Sequence, residues 1–520
     1  MGKFVEKHFT KILLLILVFS FLVRVIPTHG NNFYFTMDQG NDAIHVRQLR
    51  YLHRPLLRGT ETGGIPGLYT GPGWYWLTLT GFLFTNDHPI GPIIFLITIN
   101  LLTTYFLVKF LRTKTNSVIA LIIGVALQFF WPYYDITRYS FNPFLLVPLS
   151  LLLIPSLIDV LDGHEKSLFL ATVALGATFH FEIAAGISWS IFYFVVLTYL
   201  ILTKRVTIKT ALTSFLVFLL FFLPHLFYEF AHNFPQTTAV LHHLSGANSI
   251  ASQTQYPKML SIFIDLINQG IIYDRSILDD FLIILLTLYL CPRTKALSPR
   301  TGQFAYRFFI LTILLMIISY LWFGSSVGWQ TWHTIYLPPL LFISLLLVNL
   351  THPNKISLLI VILTIGSQVL VFQKNYRYYF KPNDDPSLLK NELSALDWIY
   401  HQTNDQRISV FTSIPSVDDY NYQYLFWWYG QRRYGYLPCE FNTYPGAPKT
   451  YLPKNFQYFE KNLGQCPPKT IFLIIEPRPD GYVDPDWYSG VTKNTTLIAK
   501  TSIGKIRLEK RLPLLSHPRL

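Results

Sequence analysis

Carboxylates are scarce in this chain, and the places where they meet arginine are where chemistry is to be sought. Residues 33–59 read FYFTMDQGNDAIHVRQLRYLHRPLLRG, with Asp38 and Asp42 four apart around Gly40. A helix starting near Asn41 would hold Asp42 in its first turn and Asp38 on the turn before. Arg47, Arg50, Arg54 and Arg58 then recur at three- and four-residue steps, a cationic stripe beside a carboxylate pair. Such a pairing suits a general base next to an anion-binding surface. It equally suits a juxtamembrane helix whose aspartates cap it and whose arginines touch anionic membrane lipids. Three more groups stand out: Arg138 and Asn142 in DITRYSFNP, His180 and Glu182 in TFHFEIAA, and Trp329 and His333 in GWQTWHTIY. His180 and Glu182 interrupt an apolar stretch, where ionisable groups are costly and point to function.

The elements that must position these groups are membrane helices. At 520 residues, 51% hydrophobic and only 14% charged, the composition excludes a water-soluble enzyme. The net charge of +13 does not signal nucleic acid, because the cations punctuate apolar runs instead of lining one polar face. Eleven runs approach the roughly 20 residues a bilayer requires: 9–27, 89–110, 116–133, 141–160, 167–181, 183–203, 210–228, 277–291, 306–323, 334–350 and 356–372. The first reads as a retained span, since no small-residue cleavage pattern follows it. Lys and Arg fall in alternate loops, which places the amino terminus in the cytoplasm. The segment Gly71 to Phe84 is too short to cross and reads as a helix in the outer interface, with Trp74, Tyr75 and Trp76 among the headgroups. Most acids of residues 1–373 then lie on the outer side.

Beyond Phe372 charge becomes dense and no apolar run is long enough to cross, so 374–520 is expected as a small extracytoplasmic α/β domain. Its pattern predicts a helix over Leu388 to Tyr400, strands at Ile408 to Thr412 and Thr470 to Glu476, and a closing pair TTLIAK and KIRLEK. Three cysteines exclude a disulfide scaffold, although Cys439 and Cys466 are compatible with one bridge in an oxidising exterior. Walker A, GxGxxG and HExxH motifs are absent, so nucleotide binding and zinc proteolysis lack their parts and neither metal nor cofactor is expected. Asp484-Pro485-Asp486 reads as a turn.

The order of a first span, a loop with an early Asp (29–88), a juxtamembrane helix, GPGWYW, further spans and a carboxy-terminal domain resembles the GT-C membrane glycosyltransferases, nearest the protein O-mannosyltransferase and ArnT-like group. The resemblance covers 1–373 and implies a mainly α GT-C fold of about eleven transmembrane helices in the cell membrane. It also implies transfer of a sugar from a polyprenyl-phosphate donor to a lipid, glycan or protein acceptor. Asp38 matches the catalytic base of the family; Gln39 stands where Glu is usual, leaving Asp42 as a second carboxylate. Arg138, His180, Arg58 and His333 are expected at the donor phosphate. Glu182, Tyr69, Trp74 and Asn142 are expected to contact or support the acceptor. A transporter or lipid flippase is the alternative, though its ionisable groups would sit nearer the midplane; a non-catalytic envelope assembly protein is a third.

Overall fold

The computed structural model describes residues 2–514 except 54, 63–64, 246–255, 272–276, 291–294, 324–330, 404–406, 417, 446–469 and 479. Arg54, Cys291, Trp329 and Cys466 lie outside the described residues. The chain divides into two compact units, each built from separated segments: Met1–Val25, Arg54–Gly81 and Pro92–Tyr378 in one, Ile26–His53, Phe82–Gly91 and Tyr379–Leu520 in the other. The chain therefore passes from the first unit into the carboxy-terminal region after Tyr378, and about half of the first loop groups with that region.

The first unit is a helical bundle. Among the described residues seven helices are long and apolar enough to cross a bilayer: Lys3–Asn31, Ile90–Lys114, Asn142–Leu161, Ile183–Leu202, Pro299–Trp322, Trp332–Thr351 and Lys355–Tyr378. A bent pair, Ile208–Leu220 and Leu223–Ala231, broken by 48° just before Pro224, makes an eighth when the two count as one span. The remaining three expected spans are helices of 12, 12 and 14 residues, Ser117–Gln128, Ser167–Thr178 and Ile277–Leu290. At 1.5 Å per residue the first two reach only about 18 Å, short of the roughly 30 Å hydrocarbon core. Leu337–Thr351 is buried along nearly its whole length, with Phe342 stacked on Phe130 at 4.4 Å. Gly2–Val25 and Lys355–Tyr378 instead expose rows of Leu, Ile and Val, the faces a bilayer would cover. Polar groups fasten one end of the bundle: Lys114 Nζ pairs with Asp159 (2.6 Å) and Asp162 (2.7 Å), and Arg307 with Asp162 (2.5 Å).

The second unit is an α/β domain around a five-stranded sheet of order β2-β1-β3-β5-β4. β1 (Ile408–Ser413) lies parallel to β2 (Glu440–Asn442) and β3 (Thr470–Ile475); β5 (Ile506–Pro513) is antiparallel to β3 and to β4 (Thr495–Ile503). β1 and β3 are almost wholly buried, as unbroken apolar runs require. The expected helix spans Leu389–His401, and the closing pair is the β4–β5 hairpin. Asp484 caps a helix (Pro485–Thr492) by accepting from Asp486 N–H at 2.9 Å, so the acid pair is structural. Cys439 is disulfide-bonded.

At the centre of this unit lies a buried polar network. Asn421 Nδ2 donates to Glu392 Oε1 (2.5 Å), Tyr422 OH donates to Glu476 Oε1 (2.5 Å), and Thr412 and Gln423 donate to Asp419. Loss of hydration pushes the Asp419 carboxyl up to about 6 and that of Glu476 to about 7, and raises Glu392 further with help from Glu476.

Candidate functional site

The first-loop helix begins at Met37, four residues before the start expected from the sequence, and runs to Leu52. The cause is Gln39, whose side chain reaches back to accept the Thr36 backbone N–H at 2.9 Å, half of a capping box. The residue in the place of the usual Glu thus serves the helix end, which an amide does as well as a carboxylate. Asp38 consequently sits in the first turn, where helix N–H groups favour an anion. It reaches solvent, yet enough protein crowds its carboxyl to raise its pKa above the usual aspartate value by loss of hydration. Asp42, one turn on, is buried.

The cationic stripe does not form as a free surface. Arg47 is buried with its guanidinium 4.9 Å over the Trp427 ring. Arg50 pairs with Asp87, which also accepts from Tyr51 OH (2.7 Å) and Arg432 Nη2 (2.5 Å). The helix ends at His53, in the left-handed region (φ 50°), so Arg58 is not on it.

Arg58 belongs instead to the helical unit, where most of the other expected residues converge. Its Nη1 donates to Tyr228 OH (2.9 Å), and its guanidinium lies 4.2 Å over Tyr69 and 5.3 Å over Tyr228. Two rings hold the cation while leaving further N–H groups for an anion. Tyr69 is fixed by its backbone N–H on Gln236 Oε1 (2.9 Å). The backbone from Gly59 to Gly71 folds back on itself, with Gly59 N–H on Thr70 O (2.7 Å) and Thr70 N–H on Thr60 O (2.9 Å). Gly71 N–H continues onto Phe179 O (3.0 Å). Asn142 Nδ2 ties this ribbon to the turn after Ser167–Thr178, donating to Phe181 O (2.5 Å) and Thr60 Oγ1 (3.3 Å).

His180 lies in that turn and accepts Gly73 N–H at Nδ1 (3.2 Å), so its proton is on Nε2. Gly71 and Gly73 are required here, because a methyl on either would fall on the imidazole. Glu182 caps Ile183–Leu202 through Ala184 N–H (3.3 Å) and stands 3.4 Å from His333 Nδ1, with Phe323 stacked on the His333 ring. Trp74 and Tyr75 are fully buried, so only Trp76 is exposed as an interfacial ring would be; the close packing of Gly73 on His180 draws the start of that helix inward.

Arg138 is buried and donates from Nη1 to the backbone carbonyl of Arg24 (3.2 Å). Arg24, whose carbonyl Arg138 meets, is a second buried cation. It is fully buried near the end of the first span, with its guanidinium 5.2 Å over Tyr134 and its Nε and Nη2 without hydrogen-bond partners. A cation inside an apolar run was the available signal. Among the described residues, no cluster of His, Cys, Asp or Glu could hold a metal ion.

No protein-family model and no curated protein matches the chain. Solved structures do. ArnT from Cupriavidus metallidurans bound to undecaprenyl phosphate aligns with a TM-score of 0.59 at 10% identity, over 96% of this chain and 98% of that one. The apo state of ArnT from the same organism aligns at 0.57 and 9% identity, again over 96% and 98%. At such identity the likeness shows the fold, and it extends over both units.

Proposed function

Given its ArnT-like GT-C fold, we propose that the chain is an integral-membrane inverting glycosyltransferase that moves a sugar from a polyprenyl-phosphate donor to an acceptor hydroxyl. The observation that carries this reading is the end-to-end likeness to a structure that holds undecaprenyl phosphate. Asp38 takes the proton of the acceptor hydroxyl, whose oxygen attacks the anomeric carbon from the face opposite the phosphate. The carbon–oxygen bond to phosphate breaks, configuration inverts, and polyprenyl phosphate leaves as an anion that needs no protonation. Arg138 and Arg58 bind that phosphate, and His180 lies with them at the phosphate site. Asp42 orients the acceptor or tunes Asp38. His333, with Nδ1 3.4 Å from Glu182, joins Arg138, Arg58 and His180 at the phosphate, while Asn142 and Tyr69 keep the Arg58 ribbon in place. The amino terminus is cytoplasmic and the carboxy-terminal domain is outside, so transfer occurs on the outer face to a lipid, glycan or protein.

The test is Asp38→Asn, which keeps shape and hydrogen bonding but removes the proton acceptor. With a panel of polyprenyl-phosphate sugars as donors, transfer is expected to fall on the order of a hundredfold or more with expression and donor binding retained. Full transfer by the folded variant would put the transporter reading first.

A further inference from the structure

We infer that the carboxy-terminal domain is the platform that sets the position of the Asp38 helix, with Gly40, Asp87 and Arg432 as positioning residues for the proton acceptor. The inference rests on the reading of Asp38 as that acceptor, and all the residues concerned lie within the second unit.

The helix Met37–Leu52 is fixed at three places. At its entrance the chain pairs with the domain as a short antiparallel bridge: Phe35 N–H donates to Ser387 O and Leu389 N–H to Phe33 O, both at 2.9 Å. At its exit Arg50 and Tyr51 close on Asp87, which Arg432 grips from the domain side, and Tyr424 OH donates to the Asp87 carbonyl (2.7 Å). Arg432 Nη1 also donates to Asn86 O (2.7 Å).

Between them is Gly40. A Cβ there would come within 2.5 Å of the Asn421 and Tyr420 backbone, so helix and domain touch main chain to main chain. Neither contact can yield by a rotamer change, and Asn421 is itself held by the buried Glu392 (2.5 Å). Glycine inside a helix is destabilising relative to Ala, a cost that fits the requirement for close approach. Asp38 and Asp42 flank Gly40 two residues to either side. A methyl at Gly40 must push the helix off by roughly 1 Å to reach ordinary contact, and a displacement of that size at a reacting group costs up to about a hundredfold in rate.

The experiment uses the full-length protein in nanodiscs and the polyprenyl-phosphate sugar that the wild type transfers. Gly40→Ala is expected to lower kcat by about tenfold or more with donor KM within about twofold. Arg432→Gln should lower kcat less, Arg432→Lys should recover part of that loss, and Gly366→Ala, where a Cβ meets nothing, should change neither constant. If Gly40→Ala fails to fold, Arg432→Gln decides. Wild-type kcat in the folded variants, or a loss carried in KM alone, would overturn the platform. Asp38→Asn run in parallel separates the two ideas: if it abolishes transfer while the others do not, only the platform falls, and if it transfers normally the base assignment falls with it.

Discussion

The buried carboxyls of the sheet domain should make that domain weaken as pH rises, the reverse of the behaviour that salt-bridged carboxylates confer. Asp419 and Glu476 titrate near 6 and 7 in the folded chain, against ordinary values of 3.8 and 4.5, because burial strips their hydration. The folded state therefore holds protons that the unfolded chain releases. Their stabilising contribution is complete below about pH 4 and disappears as pH rises through 6 and 7. Moving Asp419 from 3.8 to about 6 corresponds to about 3 kcal/mol. Glu476 raises Glu392 within the same network, so the contributions are coupled and we take the loss once. Hydrogen exchange of the full-length protein, corrected for intrinsic rates and followed at Ile408–Ser413 and Thr470–Ile475, reads this locally. About half of the Asp419 contribution is left at pH 5, so protection should fall about tenfold between pH 5 and pH 8. Glu476→Gln, which still accepts from Tyr422 OH, should flatten the dependence. Protection that is constant or rises over this range would refute the reasoning.

Arg138→Ala and Arg58→Ala should each raise donor KM by about 10- to 100-fold, the value of a hydrogen bond to a charged group; unchanged KM in both would remove them from the phosphate site. Gly71→Ala should reduce the folded yield, because its methyl falls on His180, and detergent-stable protein at the wild-type level would contradict that packing. A reporter fused after Lys374 should be active only outside the cytoplasm; activity confined to the cytoplasm would invert the topology.

Long apolar runs made the helical bundle legible, and period-two or unbroken apolar stretches did the same for β1, β3 and the β4–β5 hairpin. The start of the Asp38 helix was also written in the chain, as Thr36-Met-Asp-Gln39, a capping-box pattern that the spacing of the aspartates overshadowed. What sequence pattern could not supply was the partner of each arginine. Arg50 and Asp87 lie 37 residues apart, and Arg432 joins them from 345 residues away, so a stripe regular in spacing dissolves into separate pairings. Main-chain contact at Gly40 leaves no periodic trace either, since the residue it touches lies near position 421. The helical turn Tyr420–Tyr434, which includes a wide turn at Phe426–Gly430, carries too many aromatic side chains to show a helical stripe.

The second unit draws on three stretches of chain, Ile26–His53, Phe82–Gly91 and Tyr379–Leu520. A ribosome that has finished residue 91 must add nearly 290 more before the last stretch begins to emerge. At roughly 5–20 residues per second that delay is about 15–60 s, during which the Asp38 helix exists without the surface it rests on. The placement of Asp38 is therefore completed only at the close of synthesis, after the helical unit has been made. A chain stopped before Tyr379 would insert its spans yet carry an unplaced acid, and the carboxy-terminal stretch expressed alone would lack the helix that covers Tyr420 and Asn421.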